Sequence, residues 1–258
     1  MNLGELVATG NTANLYEWNN KIVKIFKENL PPTESFYEAK KQEYAYSCGL
    51  NVPEIFEVRK VNGLQAIIME FIEGETLGHL LLKNLNDADR YINVLVKVQK
   101  RIHEVKVESD EIERMDEKIS RKIESAPSLN KSQKSMLLNK LNSLKYEPRL
   151  CHGDLHPFNL IMNEEVVSII DWVDATAGDI RADVCRTYLL IAQHSLDLAE
   201  LYLQLYCCNI NISKSEIRQW MPIIAGARLA EIVSSEDTQR LMDIVNQFCN
   251  GCSTDDVL

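Results

Sequence analysis

The sequence lacks both a long apolar run and a basic, then apolar, leader at its N-terminus. No apolar stretch approaches the ~20 residues that a membrane-spanning helix needs. The first residues, MNLGELVATGNTANLYE, contain no basic region followed by an apolar core, which is the pattern of a secretory signal. We therefore expect a cytoplasmic protein with no membrane partner.

Basic residues and paired metal-binding cysteines are also in short supply. The chain has 28 Lys and Arg against 38 Asp and Glu, a formal net charge of −10. Nucleic-acid-binding proteins usually carry a basic stripe, so we expect no nucleic-acid partner. Cys249 and Cys252 are separated by two residues, but no second Cys/His pair follows that would complete four zinc ligands. The odd number of cysteines, seven, favours free thiols in a reducing compartment.

The first part of the chain has the hydrophobic pattern of short strands with one helix. Four strand-like runs form two pairs, each typical of a β-hairpin: 13–18 with 21–26 around Asn19-Asn20, and 54–60 with 64–71 around Asn62-Gly63. Between the pairs, the segment ESFYEAKKQEYAYSC predicts a helix that ends at Gly49.

From Gly74 onward the pattern is mainly helical, as in the segment 87–105. A strand–loop–strand–turn–strand pattern between Arg149 and Asp171 interrupts it. The sequence therefore predicts an α+β protein with two lobes. Residues 1–72 would form a small antiparallel-sheet lobe with one helix, and residues 73–258 a larger, mainly helical lobe.

The segment CHGDLHPFNLIMNEEVVSIIDW places three polar side chains at loop positions or strand ends: Asp154, Asn159 and Asp171. An Asn and an Asp at the ends of adjacent strands can both present oxygen atoms to one Mg²⁺ ion. Asp154, in the loop, could accept a proton from an attacking hydroxyl group. Metal ligands and a base are two of the requirements of phosphoryl transfer.

Lys24, in the run KIVKIF, supplies a third requirement, a fixed positive charge. Strand alternation places it on the same face as Ile22 and Phe26, where a lysine needs an anionic partner. Nucleotide phosphate could be that partner, alongside a helix carboxylate. We choose Glu38 as this carboxylate, with Glu43 as the alternative.

A polar turn precedes Lys24. The residues Gly10, Asn11 and Thr12 lie between two strand-like runs, where backbone N–H groups could approach phosphates. With only one glycine this loop is a weak signal by itself, and it gains weight from Lys24 at hairpin distance.

These features resemble the aminoglycoside phosphotransferase and choline kinase family of small-molecule kinases. The resemblance is most specific in HGDLHPFN and IIDW, and it extends to GLNVPEI, IIMEFIEGETL and DATAGDIRADVCRTYLL. It covers about two-thirds of the chain. It implies a protein-kinase-like fold, ATP (or GTP) and Mg²⁺ as cofactors, and a nucleotide-binding N-terminal lobe.

Carried over by motif, the resemblance implies a role for each matched residue. Asp154 would be the catalytic base, and Asn159 and Asp171 the magnesium ligands. Lys24, paired with Glu38, would hold the nucleotide phosphates. Residues 70–72, Glu70-Phe71-Ile72, would form the hinge whose backbone binds adenine.

Charged residues after Asp171 are also implied to take part. The matches to Asp179, Asp183 and Arg186 brace the catalytic loop in this family, and the match to Asp174 can lie near the acceptor. His103 is expected to pack beneath that loop. Acidic residues near the C-terminus could line a cationic-substrate pocket or form a solvated face: Glu231, Glu236 and Asp237.

The acceptor is expected to be a small molecule with a hydroxyl group. Only WVDATAGD separates Asp171 from the next helix, which leaves no room for the peptide-binding segment of protein kinases. Aminoglycosides, choline-type compounds, homoserine and sugars all stay open as acceptors. The alternative from another class is a catalytically silent, nucleotide-binding regulatory module.

Overall fold

A computed structural model describes residues 3–108, 110–231 and 237–251, and the chain divides into two compact units. The first unit comprises residues 1–84 and 157–174, and the second comprises residues 85–156 and 175–258. Each unit is thus built from two segments of the chain, whereas the sequence-based boundary after residue 72 is a single point. The assignment of nucleotide and acceptor binding to separate lobes stays a prediction.

The first unit contains a five-stranded antiparallel sheet with the strand order β1-β2-β3-β5-β4. Its strands are β1 (Leu6–Thr9), β2 (Ala13–Glu17), β3 (Lys21–Phe26), β4 (Ile55–Val61) and β5 (Leu64–Glu70). Both predicted hairpins are present. Their turns take left-handed backbone angles, with φ 50° and 59° at Asn19 and Asn20 and φ 51° and 86° at Asn62 and Gly63. Asn and Gly tolerate this conformation better than other residues do.

Helix α1 (Glu34–Ser47) covers one face of this sheet. Its buried residues recur at helical spacing, and Ala39 packs in one cluster with Ile22, Phe26 and Ile67. The chain leaves the helix through Gly49, whose φ is 76°, as the sequence predicts. This buried face consists of small and polar side chains, and its packing positions Glu38 against the middle of β3.

A second small sheet of the first unit has the order β6-β8-β9. Its strands are β6 (Glu75–Thr76), β8 (Leu160–Asn163) and β9 (Val166–Ile169), and helix α2 (Leu77–Lys83) follows β6. The predicted strands after residue 159 are therefore confirmed. Short 3-10 turns at Pro157–Asn159 and Trp172–Asp174 flank this hairpin.

The second unit is mainly helical. It contains α3 (Ala88–His103), α4 (Met115–Ser125), α5 (Lys131–Ser143), α6 (Ile180–Ala192), α7 (Leu196–Ile210), α8 (Lys214–Arg218), α9 (Met221–Arg228) and α10 (Thr238–Cys249), with the paired strands β7 (Arg149–Cys151) and β10 (Thr176–Gly178). Helix α7 packs against α3 and α6, and α9 packs against α4 and α10. Among the helices of the described residues, none combines the length and apolar character needed to cross a bilayer.

Candidate active site

Lys24 lies in the middle of β3 and is almost fully buried. Its Nζ donates to Oε1 of Glu38 at 2.5 Å and to Oδ1 of Asp171 at 3.0 Å. The predicted alternation is confirmed, because Lys24 shares its face of the sheet with Ile22 and Phe26, against α1. Glu38 is therefore the helix carboxylate beside Lys24, whereas Glu43 is exposed on the same helix.

The two carboxylates keep Lys24 charged. Burial by itself lowers the pKa of Lys24, but the charges and hydrogen bonds of Glu38 and Asp171 outweigh burial and raise it above its ordinary value. The second carboxylate oxygen of Glu38 is buried, and no donor reaches it within the described part of the chain. Lys24 is thus a cation next to an incompletely satisfied acceptor.

Asn159 and Asp171 stand on opposite sides of the open end of the β8–β9 hairpin. Leu160 pairs with Ile169, and beyond this pair the N–H of Ile170 donates to the carbonyl of Asn159 at 3.0 Å. Asp171 has a φ of 65°, a left-handed conformation that Asp adopts more readily than most residues. An amide oxygen and a carboxylate oxygen are ligands that suit Mg²⁺, so this pair fits the expected metal.

The residue before Asn159 is held by a close backbone contact. The ring of Phe158 lies so near Gly78 that a Cβ there would stand 2.6 Å from the ring. His79 meets the same ring edge-on, with the ring centroids 5.4 Å apart. Glycine at position 78 therefore allows the start of α2 to support the turn that carries Asn159.

The predicted phosphate loop joins β1 to β2. The N–H of Gly10 donates to the carbonyl of Ala13 at 2.8 Å, so this N–H already serves the turn. Asn11 is exposed and Thr12 half-buried. The N–H groups of Asn11 and Thr12, rather than that of Gly10, are the ones that could face a phosphate.

The predicted hinge begins at Glu70, the last residue of β5, and continues to Ile72. The N–H of Glu70 donates to the carbonyl of Glu54 at 2.9 Å, so this N–H already serves the sheet. Ile72 lies beyond the strand and is half-buried. Asp174 ends the 3-10 turn after Asp171 and is half-buried too.

Asp154 belongs to the second unit, in the loop that follows β7. Gly153 precedes it with a φ of 78°, and the N–H of Gly153 donates to Oδ1 of Asp183 at 2.7 Å. Nη2 of Arg186 lies 3.6 Å from Oδ1 of Asp154, and Nε2 of His156 lies 3.6 Å from Oδ2. The side chain of Asp183 therefore braces the loop by accepting a hydrogen bond from the loop backbone, and Arg186 braces it by attracting the carboxylate of Asp154. Both roles agree with what the resemblance implies.

Asp183 is the centre of a fully buried network. Its Oδ2 accepts from Nε2 of Gln99 and lies 2.9 Å from Nε2 of His103, whose Nδ1 lies 2.6 Å from the hydroxyl of Tyr206. Burial by itself raises the pKa of Asp183, but His103, Gln99 and the N–H of Gly153 outweigh it and lower the pKa to about 2. Sequence reasoning found His103 and Asp183 but missed Gln99 and Tyr206. The spacing of Gln99 four residues before His103, on the buried face of α3, was the available signal.

Two acidic residues, Asp179 and Glu231, differ from expectation. Asp179 caps α6, accepting from the N–H of Arg181 at 2.8 Å, and pairs with the Arg181 side chain; its observed contacts serve the helix start. Asp237 caps α10 and is exposed, in agreement with the solvated-face alternative. Glu231 is not on a solvated face, because it is half-buried between Lys122 and Arg186. That it lines a substrate pocket stays a prediction. Glu236 lies outside the described residues.

The second unit also contains a cavity of about 410 Å³. It is lined by Lys100, His103, Glu104, Tyr146, Glu147, Arg149, Asp179, Ile180, Arg181, Ile210, Ile212 and Glu216. Asp154 is not among these residues, so the cavity is separate from the predicted base.

A sequence model of the phosphotransferase enzyme family matches residues 11–220, well over half of the chain. A search of curated protein sequences gives no match. Lys24, Glu38, Asp154, Asn159 and Asp171 all lie within the matched region.

Several solved structures share the fold. The aminoglycoside phosphotransferase APH(2'')-Ib, solved with ADP, is 16% identical, with 97% of this chain and 93% of that chain covered and a TM-score of 0.63. A choline/ethanolamine kinase family protein from Mesorhizobium loti is 14% identical over 97% and 87% of the two chains, with a TM-score of 0.61. The streptomycin–ATP–APH(2")-IIa ternary complex is 16% identical over 98% and 93%, with a TM-score of 0.65. The predicted kinase-like α+β fold is therefore confirmed.

Proposed function

Because the chain belongs to the phosphotransferase enzyme family, we propose that it transfers the γ-phosphoryl group of ATP or GTP to a hydroxyl group of a small-molecule acceptor, with Mg²⁺ as cofactor. The observation that carries this proposal is the buried contact of Lys24 with Glu38 and Asp171, at 2.5 and 3.0 Å. A buried cation has a clear use where nucleotide phosphates must be held. The ADP and ATP of two structural relatives support a nucleotide donor.

The first unit would hold the nucleotide. Lys24, fixed by Glu38, binds its phosphates, and the N–H groups of Asn11 and Thr12, in the turn that begins at Gly10, add hydrogen bonds. The backbone of residues 70–72, from Glu70 to Ile72, binds the base. This assignment rests on the buried charge of Lys24 in the middle of β3. It also rests on backbone groups just before β2 and at the end of β5, the two strands that neighbour β3.

Asn159 and Asp171 would hold the metal. Mg²⁺, when bound, supplies positive charge that offsets the charge of the phosphates. The hydrogen bond from the N–H of Ile170 to the carbonyl of Asn159 keeps the two ligands together at the open end of the β8–β9 hairpin. Lys24 orients Asp171 through one of its oxygens.

Asp154 would act as the base. It accepts the proton of the acceptor hydroxyl group while the acceptor oxygen forms a bond to the γ-phosphorus. The bond from that phosphorus to the bridging oxygen breaks, and the nucleoside diphosphate leaves. Positioning and charge neutralisation supply most of the rate enhancement in this class of reaction.

Aminoglycosides are the first acceptor class to test, since one structural relative was solved with streptomycin. Choline and ethanolamine follow, because another relative belongs to the choline/ethanolamine kinase family. Homoserine-type alcohols and sugars complete the panel. The half-buried Asp174, beyond the metal ligand Asp171, is proposed to approach the acceptor.

The test is nucleotide turnover with Mg²⁺ and each acceptor, run on the wild type and on Asp154→Asn. We expect turnover with one acceptor class and a loss of about 10²–10⁴-fold in the variant, the usual contribution of a general base. Asp197→Asn, an exposed aspartate in the first turn of α7, is the matched control and should keep wild-type turnover. Full turnover in Asp154→Asn would contradict the assignment of the base.

Nucleotide binding separates the proposal from the silent module. Thermal shifts with ATP and with GTP, measured with and without Mg²⁺, should show a larger rise when the metal is present. Binding that does not depend on Mg²⁺, together with no turnover on any acceptor, would favour the regulatory module. No binding of either nucleotide would contradict both functions.

A further inference from the structure

Arg186, on α6, lies close to two carboxylates of the second unit but at different distances. Its Nη1 and Nη2 each donate to a different oxygen of Glu231, at 2.8 and 3.1 Å. Its Nη2 also lies 3.6 Å from Oδ1 of Asp154, which is an ion-pair distance but too long for a hydrogen bond. The two-pronged contact of the guanidinium group therefore goes to Glu231 and not to Asp154.

Glu231 is itself held in place. Nζ of Lys122, on α4, donates to its Oε1 at 2.5 Å, and Nη1 of Arg228, at the end of α9, lies 3.9 Å from its Oε2. The side chain of Glu231 is only 16% exposed. Cations from two other helices thus fix this carboxylate, which gives Arg186 a rigid partner.

The distance between Arg186 and Asp154 matters for a general base. An arginine that closes on a carboxylate with two parallel hydrogen bonds occupies the lone pairs that a substrate proton needs. It also stabilises the ionised form and so weakens the base. An arginine held slightly farther away still attracts and orients the carboxylate without covering its oxygens.

We propose that Glu231 is a positioning residue, which holds Arg186 so that it orients Asp154 without closing on it. This inference rests on the proposed function, in which Asp154 accepts the proton of the acceptor. Without the charge of Glu231, the bidentate contact that holds Arg186 away from Asp154 is lost, and the guanidinium group moves towards Asp154. The loss of activity caused by that change depends on Arg186, so no further loss is expected when Arg186 is already absent.

The test is a double-mutant cycle with Glu231→Gln, Arg186→Ala and the combined variant. We expect Glu231→Gln to lower kcat about 10-fold, with the acceptor KM and the thermal shift given by Mg²⁺ and nucleotide unchanged. Glu231→Asp, which keeps the charge, should recover most of kcat. The combined variant should be no slower than Arg186→Ala alone, because the two changes act on one contact.

A control separates this role from a structural ion pair. Glu200, on α7, accepts hydrogen bonds from Lys214 and Arg218 in a similar arrangement, and it has no part in the proposed reaction. Glu200→Gln should lower the melting temperature without lowering kcat. A kcat for Glu231→Gln equal to that of the wild type, or effects of Glu231→Gln and Arg186→Ala that simply multiply, would overturn the inference while the proposed function stands. Absence of wild-type turnover with every acceptor would overturn both.

Discussion

Two buried carboxylates, Glu38 in the first unit and Asp183 in the second, are equally hidden from solvent but differ in how well they are satisfied. They are 2% and 1% exposed. Asp183 has hydrogen-bond partners on both oxygens: the N–H of Gly153 on one, and Gln99 and His103 on the other. One oxygen of Glu38 accepts a hydrogen bond from Lys24, and the described residues offer no donor to the other oxygen.

The difference indicates two uses of buried charge. A network with every member satisfied is rigid and costly to break, and it suits the support of a loop. A buried cation that is held by carboxylates, one of them incompletely satisfied, can still attract a negatively charged ligand. We therefore expect changes at Asp183 to act mainly on stability and changes at Glu38 to act mainly on activity.

The largest effect is expected from Asp183→Ala. The change leaves the ring N–H of His103, the amide of Gln99 and the N–H of Gly153 without their acceptor in a buried site. The free energy of unfolding should fall by about 3–5 kcal/mol, measured by chemical denaturation. Asp197→Ala, at an exposed position, should change it by less than about 1 kcal/mol. Equal effects of the two substitutions would contradict the proposed role of the network.

Next in size is the effect of Glu38→Gln on turnover. Lys24 loses its closest carboxylate and keeps Asp171, so the position of its ammonium group is no longer fixed from both sides. We expect kcat/KM for the nucleotide to fall on the order of 100-fold, about 2.7 kcal/mol. Glu43→Gln changes an exposed glutamate of the same helix and should have no effect. If both variants lose activity equally, α1 matters as a whole and not through the Lys24 contact.

The lowered pKa of Asp183 predicts a pH dependence of stability. Its pKa is about 2 in the folded protein, against an ordinary value of 3.8, so folding favours the ionised form. The resulting stabilisation, about 2 kcal/mol, is present above pH 4 and is lost as the pH falls from 4 towards 2. Unfolding free energies at several pH values should show this slope in the wild type and not in Asp183→Asn. Parallel curves for the two proteins would contradict the assignment.

The smallest effect is expected from Tyr206→Phe. This change removes the hydroxyl group that contacts Nδ1 of His103 and keeps the buried ring. The free energy of unfolding should fall by about 1 kcal/mol, the usual contribution of one hydrogen bond. Tyr37→Phe, on the exposed face of α1, serves as the control and should leave stability unchanged.

Much of the first unit could be predicted from the sequence because its signals are local. Asn and Gly at the turns favour the left-handed angles that join both hairpins, and alternation along β3 places Lys24 on the face that α1 covers. The segment from Asn159 to Asp171 could be interpreted for the same reason, since two short strands and a turn bring its ends together. The family resemblance then added the expected roles of these residues.

The partners of the second unit could not be predicted in this way. Glu231 meets Arg186 across 45 residues, and Tyr206 meets His103 across 103 residues. Local patterns determine which face of a helix is buried, and the sequence by itself determined the strands, the turns and the buried position of Lys24. The packing of separate helices decides which buried polar groups meet, because each such group needs a partner that only the folded chain brings within hydrogen-bond distance. Tertiary structure alone therefore placed Gln99 and Tyr206 around Asp183, made Asp179 a helix cap, and put Glu231 beside Arg186.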